Sequence, residues 1–177
     1  DFYGMGSWKN NQKRDKKMTK HPISPVFDEY SNVLILGSFP SVKSREEGFF
    51  YGHPQNRFWK VVAAVYGQET PGDIEEKRKF LLTNHIAVWD VIQSCDIVGS
   101  SDSSIKNVTA NDLNVILKKA DIRQIYVNGK KAAQLYQRYI YPQIKREAVC
   151  LPSTSPANAA WHAERLIEVW KCIREEG

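Results

Sequence analysis

The sequence predicts an α/β fold built on four mostly parallel strands, and three observations carry that prediction. Short apolar runs at 33–37, 86–92, 125–128 and 148–151 have the length and continuity of strands buried inside a sheet. Segments with helical apolar spacing separate them, the alternation that builds βαβ units with right-handed crossovers. Each run ends in polar or loop-forming residues: Gly37-Ser38, Asp90, Asn128 and Pro152-Ser153. In a parallel sheet these ends converge on one edge, and open α/β sheets bind ligands there.

In chain order, residues 1–20 form a basic arm. Lys9, Lys13, Arg14, Lys16, Lys17 and Lys20 face only Asp1 and Asp15, so the arm supplies most of the formal charge of +5 and the body is nearly neutral. Such an arm binds phosphates by counterion release or stays a solvated, flexible tail. Gly6-Ser7 resembles a cloning scar and Met18 a native start, so the arm is set apart from the fold. Residues 21–177 have the length of one domain with a full core. His21-Pro22-Ile23-Ser24-Pro25 is an extended lead-in, because a residue before proline is pushed out of helical geometry.

Val33-Leu34-Ile35-Leu36 makes the first strand, stopped by Gly37. A helix is expected over 57–66, with Phe58, Val61, Val62 and Val65 on one face and Gly67 ending it. Thr70-Pro71-Gly72-Asp73 turns the chain and caps a second helix over 73–84 that buries Phe80 and Leu81. After the strand at 86–92, residues 93–107 lack periodicity and hold Ser100, Ser101, Ser103 and Ser104, so they read as a loop. Leu113, Ile116 and Leu117 predict a third helix over 109–120. The strand at 125–128 passes at Gly129 into a helix to 140. The last strand opens into the polar loop 152–158, and a closing helix over 159–174 turns Leu166, Val169, Trp170 and Ile173 inward.

Several classes of protein are excluded. No apolar run reaches the roughly 20 residues of a membrane span, and no apolar signal-peptide core is present. Cys95, Cys150 and Cys172 are widely spaced and odd in number, which points to buried thiols in a reducing compartment and to no metal cluster. There is no phosphate-binding GKS/T loop, no GxGxxG, no HExxH and no GxSxG elbow.

The chemistry-bearing residues gather in two loops. The first, between Gly37 and Phe58, holds Ser38, Phe39, Pro40, Ser41 and Ser44, then Phe49, Phe50 and Tyr51, then His53, Pro54 and Asn56. The second holds Ser153, Thr154, Ser155 and Asn158 between and beyond Pro152 and Pro156. Hydroxyls and helix N-terminal amides suit phosphate oxygens, and aromatics suit a flat base.

This arrangement resembles the uracil-DNA glycosylase superfamily, most closely its hypoxanthine-DNA (deoxyinosine) glycosylase branch. The resemblance rests on Leu34-Ile35-Leu36-Gly37-Ser38-Phe39-Pro40-Ser41 with Ser44, Tyr51-Gly52-His53-Pro54-Gln55-Asn56-Arg57-Phe58-Trp59, Val88-Trp89-Asp90-Val91, and Leu151-Pro152-Ser153-Thr154-Ser155-Pro156-Ala157-Asn158. It implies a three-layer α/β/α domain with a four-stranded parallel sheet and DNA across the strand ends. It also implies a monofunctional hydrolase of N-glycosidic bonds that needs no metal or cofactor, acts on DNA carrying a deaminated base as a monomer, and works inside the cell, in cytoplasm, nucleoid or nucleus. The superfamily's usual Asp or Asn two residues after the first-loop glycine is replaced here by Phe39, and the resemblance gives the catalytic amide to Asn56, with His53 beside it. Gly37, Ser38, Phe39, Pro40, Tyr51, Asp90 and Asn128 then bind the base, and Ser41, Ser44, Ser153, Thr154, Ser155 and Asn158 the phosphates.

Other roles compete for these residues. Asn56 is also a favoured helix N-cap; Asn128 and the loop serines are also turn formers. His53 and Asp90 also suit purely structural ties, and Phe49, Phe50 and Tyr51 suit the core. Lys130 is the lysine a lyase would need, though it reads as a surface helix residue. The rival functions are uracil excision, a non-catalytic nucleic-acid-binding module, and a hydrolase using Ser38 and His53.

Overall fold

The computed structural model describes residues 18–175, so most of the basic arm lies outside the described residues. In chain order the elements are β1 (Thr19–Lys20), β2 (Val33–Gly37), α1 (Val42–Glu47), α2 (Phe58–Val65), α3 (Ile74–Thr83), β3 (Ile86–Asp90), β4 (Ile92–Asp96), β5 (Lys106–Ala110), α4 (Asn114–Leu117), β6 (Gln124–Asn128), α5 (Lys130–Leu135), α6 (Tyr141–Ile144), β7 (Ala148–Leu151), α7 (Ala163–Trp170) and α8 (Cys172–Glu175). The four expected strands form one sheet, ordered β3-β2-β6-β7 and parallel throughout. Every residue of β2 and β3 is buried: β2 lies inside the sheet, and β3 at its edge is covered by the lead-in segment through the Val26–Val88 bridge. The edge strand β7 is less covered, with Val149 and Cys150 exposed. Of the three cysteines Cys95 is buried, Cys172 partly buried and Cys150 exposed, so the expectation of buried thiols holds in full for Cys95 alone.

The strand order fixes where a ligand can sit. The chain leaves β2 for β3 on one side, then returns past β2 to β6 and β7 on the other. Right-handed crossovers running in opposite directions put their helices on opposite faces and open a crevice at the reversal. That reversal lies between β2 and β6, beyond Gly37 and Asn128. Register aligns Gly37 with Asp90 and Leu36 with Val127, so three functional strand ends lie side by side.

The helices follow their signals. Asp73 accepts from Glu76 N at 2.7 Å and Glu76 accepts from Gly72 N at 2.8 Å, a reciprocal cap that starts α3. Helix α2 buries Phe58, Trp59, Val61, Val62 and Val65.

Five expectations are corrected. Residues 38–57 are not all loop: Ser41 caps α1 and Gly48, at φ 74°, ends it, but six residues are too few to show a period. Residues 93–110 are only in part a loop: β4 and β5 flank the loop 97–105, pair antiparallel and join β1 in a second, three-stranded sheet, and no helix starts at 109. Their mostly polar sequences, with Ile92 and Cys95 the buried positions, leave no apolar alternation to read. Thr19 and Lys20 therefore belong to a strand rather than to the arm. The helix after Gly129 widens to π geometry over Tyr136–Ile140, and the closing helix begins only at Ala163, leaving Val169 exposed.

Candidate active site

At the strand reversal lies a cleft of about 300 Å³. Gly37, Ser38, Phe39, Pro40, Ser41, Ser44, Tyr51, His53, Asn56, Asp90, Asn128, Ser153, Thr154 and Ser155 all line it. Residues as far apart in sequence as Gly37 and Ser155 thus meet in one place. Asn158 alone of the expected site residues stays outside the lining; its amide Nδ2 donates to Ser153 O at 3.0 Å and braces the second loop.

One wall is a chain of amides and a hydroxyl. Thr154 N–H donates to Asn128 Oδ1 at 3.1 Å, which makes Asn128 Nδ2 the donor to Thr154 Oγ1 at 3.0 Å. Thr154 Oγ1 then donates to Asn56 Oδ1 at 2.9 Å. The same oxygen accepts the first free N–H of α2, from Phe58 N, at 2.9 Å. Backbone donors at both ends therefore fix every amide orientation in the chain. Asn56 caps its helix and lines the cleft at once, so the two readings of this residue coexist. With Oδ1 occupied twice, what Asn56 has left for a ligand is its Nδ2 donor. Thr154 is wholly buried and acts within the protein.

The opposite wall is built around Asp90, which is 3% exposed. His21 Nε2 donates to Asp90 Oδ2 at 2.7 Å. Asp90 Oδ1 accepts from no donor among the described residues. It packs on Gly37, where an added Cβ would lie 2.4 Å from Oδ1 and 3.1 Å from Tyr51 Oη, so only glycine fits. Tyr51, at φ 52°, is held by stacking on Phe58 at 4.0 Å. Among the described residues its buried hydroxyl has no hydrogen-bond partner. Burial, then the Asp90 charge, pushes its ionisation well above the usual tyrosine range, against a smaller opposing effect of the Asn128 amide. Tyr51 therefore stays a phenol donor.

The rim is set by loops. Ser38 Oγ donates to Asp102 Oδ1 at 3.0 Å. Removal from solvent, and to a lesser degree the charge of Asp90, raises Asp102 above the ordinary carboxylate range, against the Ser38 bond and Lys131. Ser41 and Ser44 serve α1: Ser41 Oγ accepts from Ser44 N at 3.1 Å, and Ser44 Oγ accepts from Gly52 N at 2.8 Å. Ser153 Oγ accepts from Ser155 N and Ser155 Oγ from Ala157 N, at 3.1 and 3.2 Å. His53 Nδ1 accepts from Gln55 N at 3.1 Å, and Ser38 is bonded to Asp102, so no Ser38–His53 nucleophile pair forms. Phe49 and Phe50 are core residues, 2% exposed, though Phe50 also reaches the cleft. Lys130 is exposed and does not line it.

Sequence reasoning missed His21, Asp102 and Arg57. Arg57 donates from Nη1 to Trp161 O and from Nη2 to Ser155 O at 2.8 Å and Asn158 O at 3.2 Å, which clamps the second loop to the first. Its place beside Asn56 was the signal available. His21 and Asp102 gave none, being single polar residues in segments without a pattern.

The model of the uracil DNA glycosylase superfamily matches residues 24–175. A hypoxanthine DNA glycosylase of Methanosarcina acetivorans is 34% identical over 162 residues, covering 88% of this chain and 98% of that protein. A hypoxanthine DNA glycosylase of Methanosarcina barkeri is 31% identical over 119 residues, covering 66% and 75%. A solution NMR structure of a candidate uracil DNA glycosylase from M. acetivorans superposes with a TM-score of 0.75 at 33% identity, over 89% of this chain and 96% of that one. The match runs through both loops and all four strands of the parallel sheet, and the chain belongs to the uracil DNA glycosylase superfamily.

Proposed function

We propose that the protein is a monofunctional DNA glycosylase that releases hypoxanthine from deoxyinosine. One observation carries the reading furthest: Asn56 lines the cleft with its oxygen doubly occupied and its amide donor unused. The names of its relatives support the same base. A base inside the duplex is out of reach, so the nucleotide flips into the cleft. Gly37, Ser38, Phe39, Pro40, Tyr51, Asp90 and Asn128 surround the base, with Phe39 and Phe50 offering aromatic faces. The bond from C1′ to N9 breaks, and its electron pair leaves with the purine. Water adds to the resulting oxocarbenium carbon, and the proton it gives up passes through solvent to the purine anion, leaving neutral hypoxanthine and an abasic sugar. Asn56 Nδ2 donates to the departing base as negative charge builds there, the kind of donor that lowers the barrier without being a base itself. His53 sits beside it on the turn. Ser41, Ser44, Ser153, Thr154, Ser155 and Asn158 shape the loops that meet the flanking phosphates, of which Ser153 and Ser155 keep hydroxyl hydrogens to donate.

Residues 21–177 act as one domain and a monomer on DNA inside the cell, in cytoplasm, nucleoid or nucleus. No helix of the described residues is long and apolar enough to cross a membrane. Uracil remains the second reading, because it carries the same N–H beside C=O edge. Duplexes with one inosine, uracil or xanthine, treated with protein and then alkali, test the proposal. Strand cleavage is expected at inosine first. Cleavage at none of the three would sink it and leave a binding module.

A further inference from the structure

We infer that His21 is a positioning residue that makes Asp90 the reader of the base's N–H. The inference rests on the glycosylase reading above.

His21 follows β1 directly, in the segment ahead of β2, the first strand of the parallel sheet. Its backbone N–H bonds Gln93 O at 2.6 Å, next to the β1–β4 pairing, and Val26 bridges to Val88 just beyond. The side chain is thereby driven under the cleft, 2% exposed, with its ring 5.9 Å from that of Phe39 and 6.0 Å from that of Phe50. Ile23 N–H donates to His21 Nδ1 at 3.1 Å. A backbone N–H only donates, so Nδ1 carries the lone pair and Nε2 the proton. Nε2–H then binds Asp90 Oδ2 and occupies that oxygen. Oδ1 is left as the acceptor, fixed against Gly37 beside the Tyr51 hydroxyl.

The pair Asp90 Oδ1 and Tyr51 Oη is an acceptor next to a donor. Hypoxanthine presents N1–H and O6, the complementary pattern, and uracil presents N3–H between two carbonyls. Adenine presents the N1 lone pair and an N6 amine, the reverse pattern, which sets a lone pair against the carboxylate. A buried group that stays unpaired with the wrong ligand discriminates strongly. Selection of deaminated over ordinary bases is thus written in the orientation of one carboxylate, and His21 holds that orientation without touching the base.

Single-turnover excision of hypoxanthine and of unsubstituted purine, which lacks both N1–H and O6, is measured in the same duplex for wild type, His21→Phe and His21→Gln. Gln keeps an N–H donor near the position of Nε2. The wild type is expected to prefer hypoxanthine, His21→Phe to lose about 10- to 100-fold of that preference, and His21→Gln to recover most of it. Thermal melting of each variant corrects for folded fraction. An unchanged preference in His21→Phe, an equal loss on both bases, or no recovery in His21→Gln overturns the inference. Failure of the wild type to release hypoxanthine overturns the glycosylase reading instead.

Discussion

On one side of the cleft the Asn128–Thr154–Asn56 chain closes on itself, every oxygen and hydroxyl matched to a partner and both ends pinned by backbone N–H groups. On the other side, Tyr51 Oη is buried without a hydrogen-bond partner among the described residues, and Asp90 Oδ1, on the cleft lining, accepts from none of them. An unpaired buried polar group costs about 1–3 kcal/mol. The first wall therefore gains rigidity from its polar groups, and the second gives up stability for them. A satisfied network holds an amide in place for chemistry; an unsatisfied one is complete only with a ligand. The two walls should respond to mutation in opposite ways, one mainly through rate and stability, the other mainly through selectivity.

The largest effect is expected at the end of the satisfied wall. Asn56→Ala removes the donor aimed at the departing base, so single-turnover excision should fall roughly 100- to 1000-fold, the range of one lost transition-state donor. Affinity for abasic-site DNA, measured by titration, should change little, because the role proposed for Asn56 is on the departing base and not on the phosphates. Near-normal excision would reduce Asn56 to a helix cap.

Asp90→Asn comes next and probes the unsatisfied wall. His21 Nε2–H still needs an acceptor, so the new amide takes its oxygen towards His21 and turns its NH2 to the cleft. Hypoxanthine excision should drop by about 100-fold, with relatively less loss on a purine lacking N1–H. Equal loss on both bases would make Asp90 a structural tie.

The two walls were not equally legible in the sequence. The satisfied wall is made of Asn56, Asn128 and Thr154, each at the end of a readable strand or the start of a readable helix, and the parallel sheet brings such ends together. The unsatisfied wall depends on His21, whose partner is 69 residues away and whose own segment pairs with β4, a strand of the second sheet. That sheet is mostly polar and its strands bury only Ile92 and Cys95, so periodicity could not announce it, and without it nothing aims His21 at Asp90. Asp102 reaches the rim through the same unread segment. The fold was visible where burial imposes a pattern, and hidden where single hydrogen bonds fix a short polar strand.

Thr154→Val tests whether the first wall is one unit. The isosteric change leaves Asn128 Nδ2 without its acceptor and Asn56 Oδ1 with one donor in place of two. Thr154 is wholly buried, so stability should fall by about 1–3 kcal/mol, read as a lower urea midpoint. Excision should fall about 10-fold per folded molecule, because a loosened amide misses its target. A stability loss with an unchanged rate would show that Phe58 N–H alone suffices to hold Asn56.

Tyr51→Phe should have the smallest effect and the most telling sign. Removing a hydroxyl that bonds nothing among the described residues relieves a buried polar atom, while the ring keeps its stack on Phe58. Stability should stay level or rise, by up to roughly 1 kcal/mol. If the hydroxyl donates to O6 of the base, hypoxanthine excision should nevertheless fall about 5- to 10-fold, the worth of one neutral hydrogen bond. Because burial and Asp90 keep the phenol protonated, that deficit should be constant between pH 6 and 9. A variant that is more stable and slower places Tyr51 among the groups held in reserve for the base. A variant that is less stable and equally fast would mean that the hydroxyl is satisfied inside the protein and that the second wall, like the first, is closed.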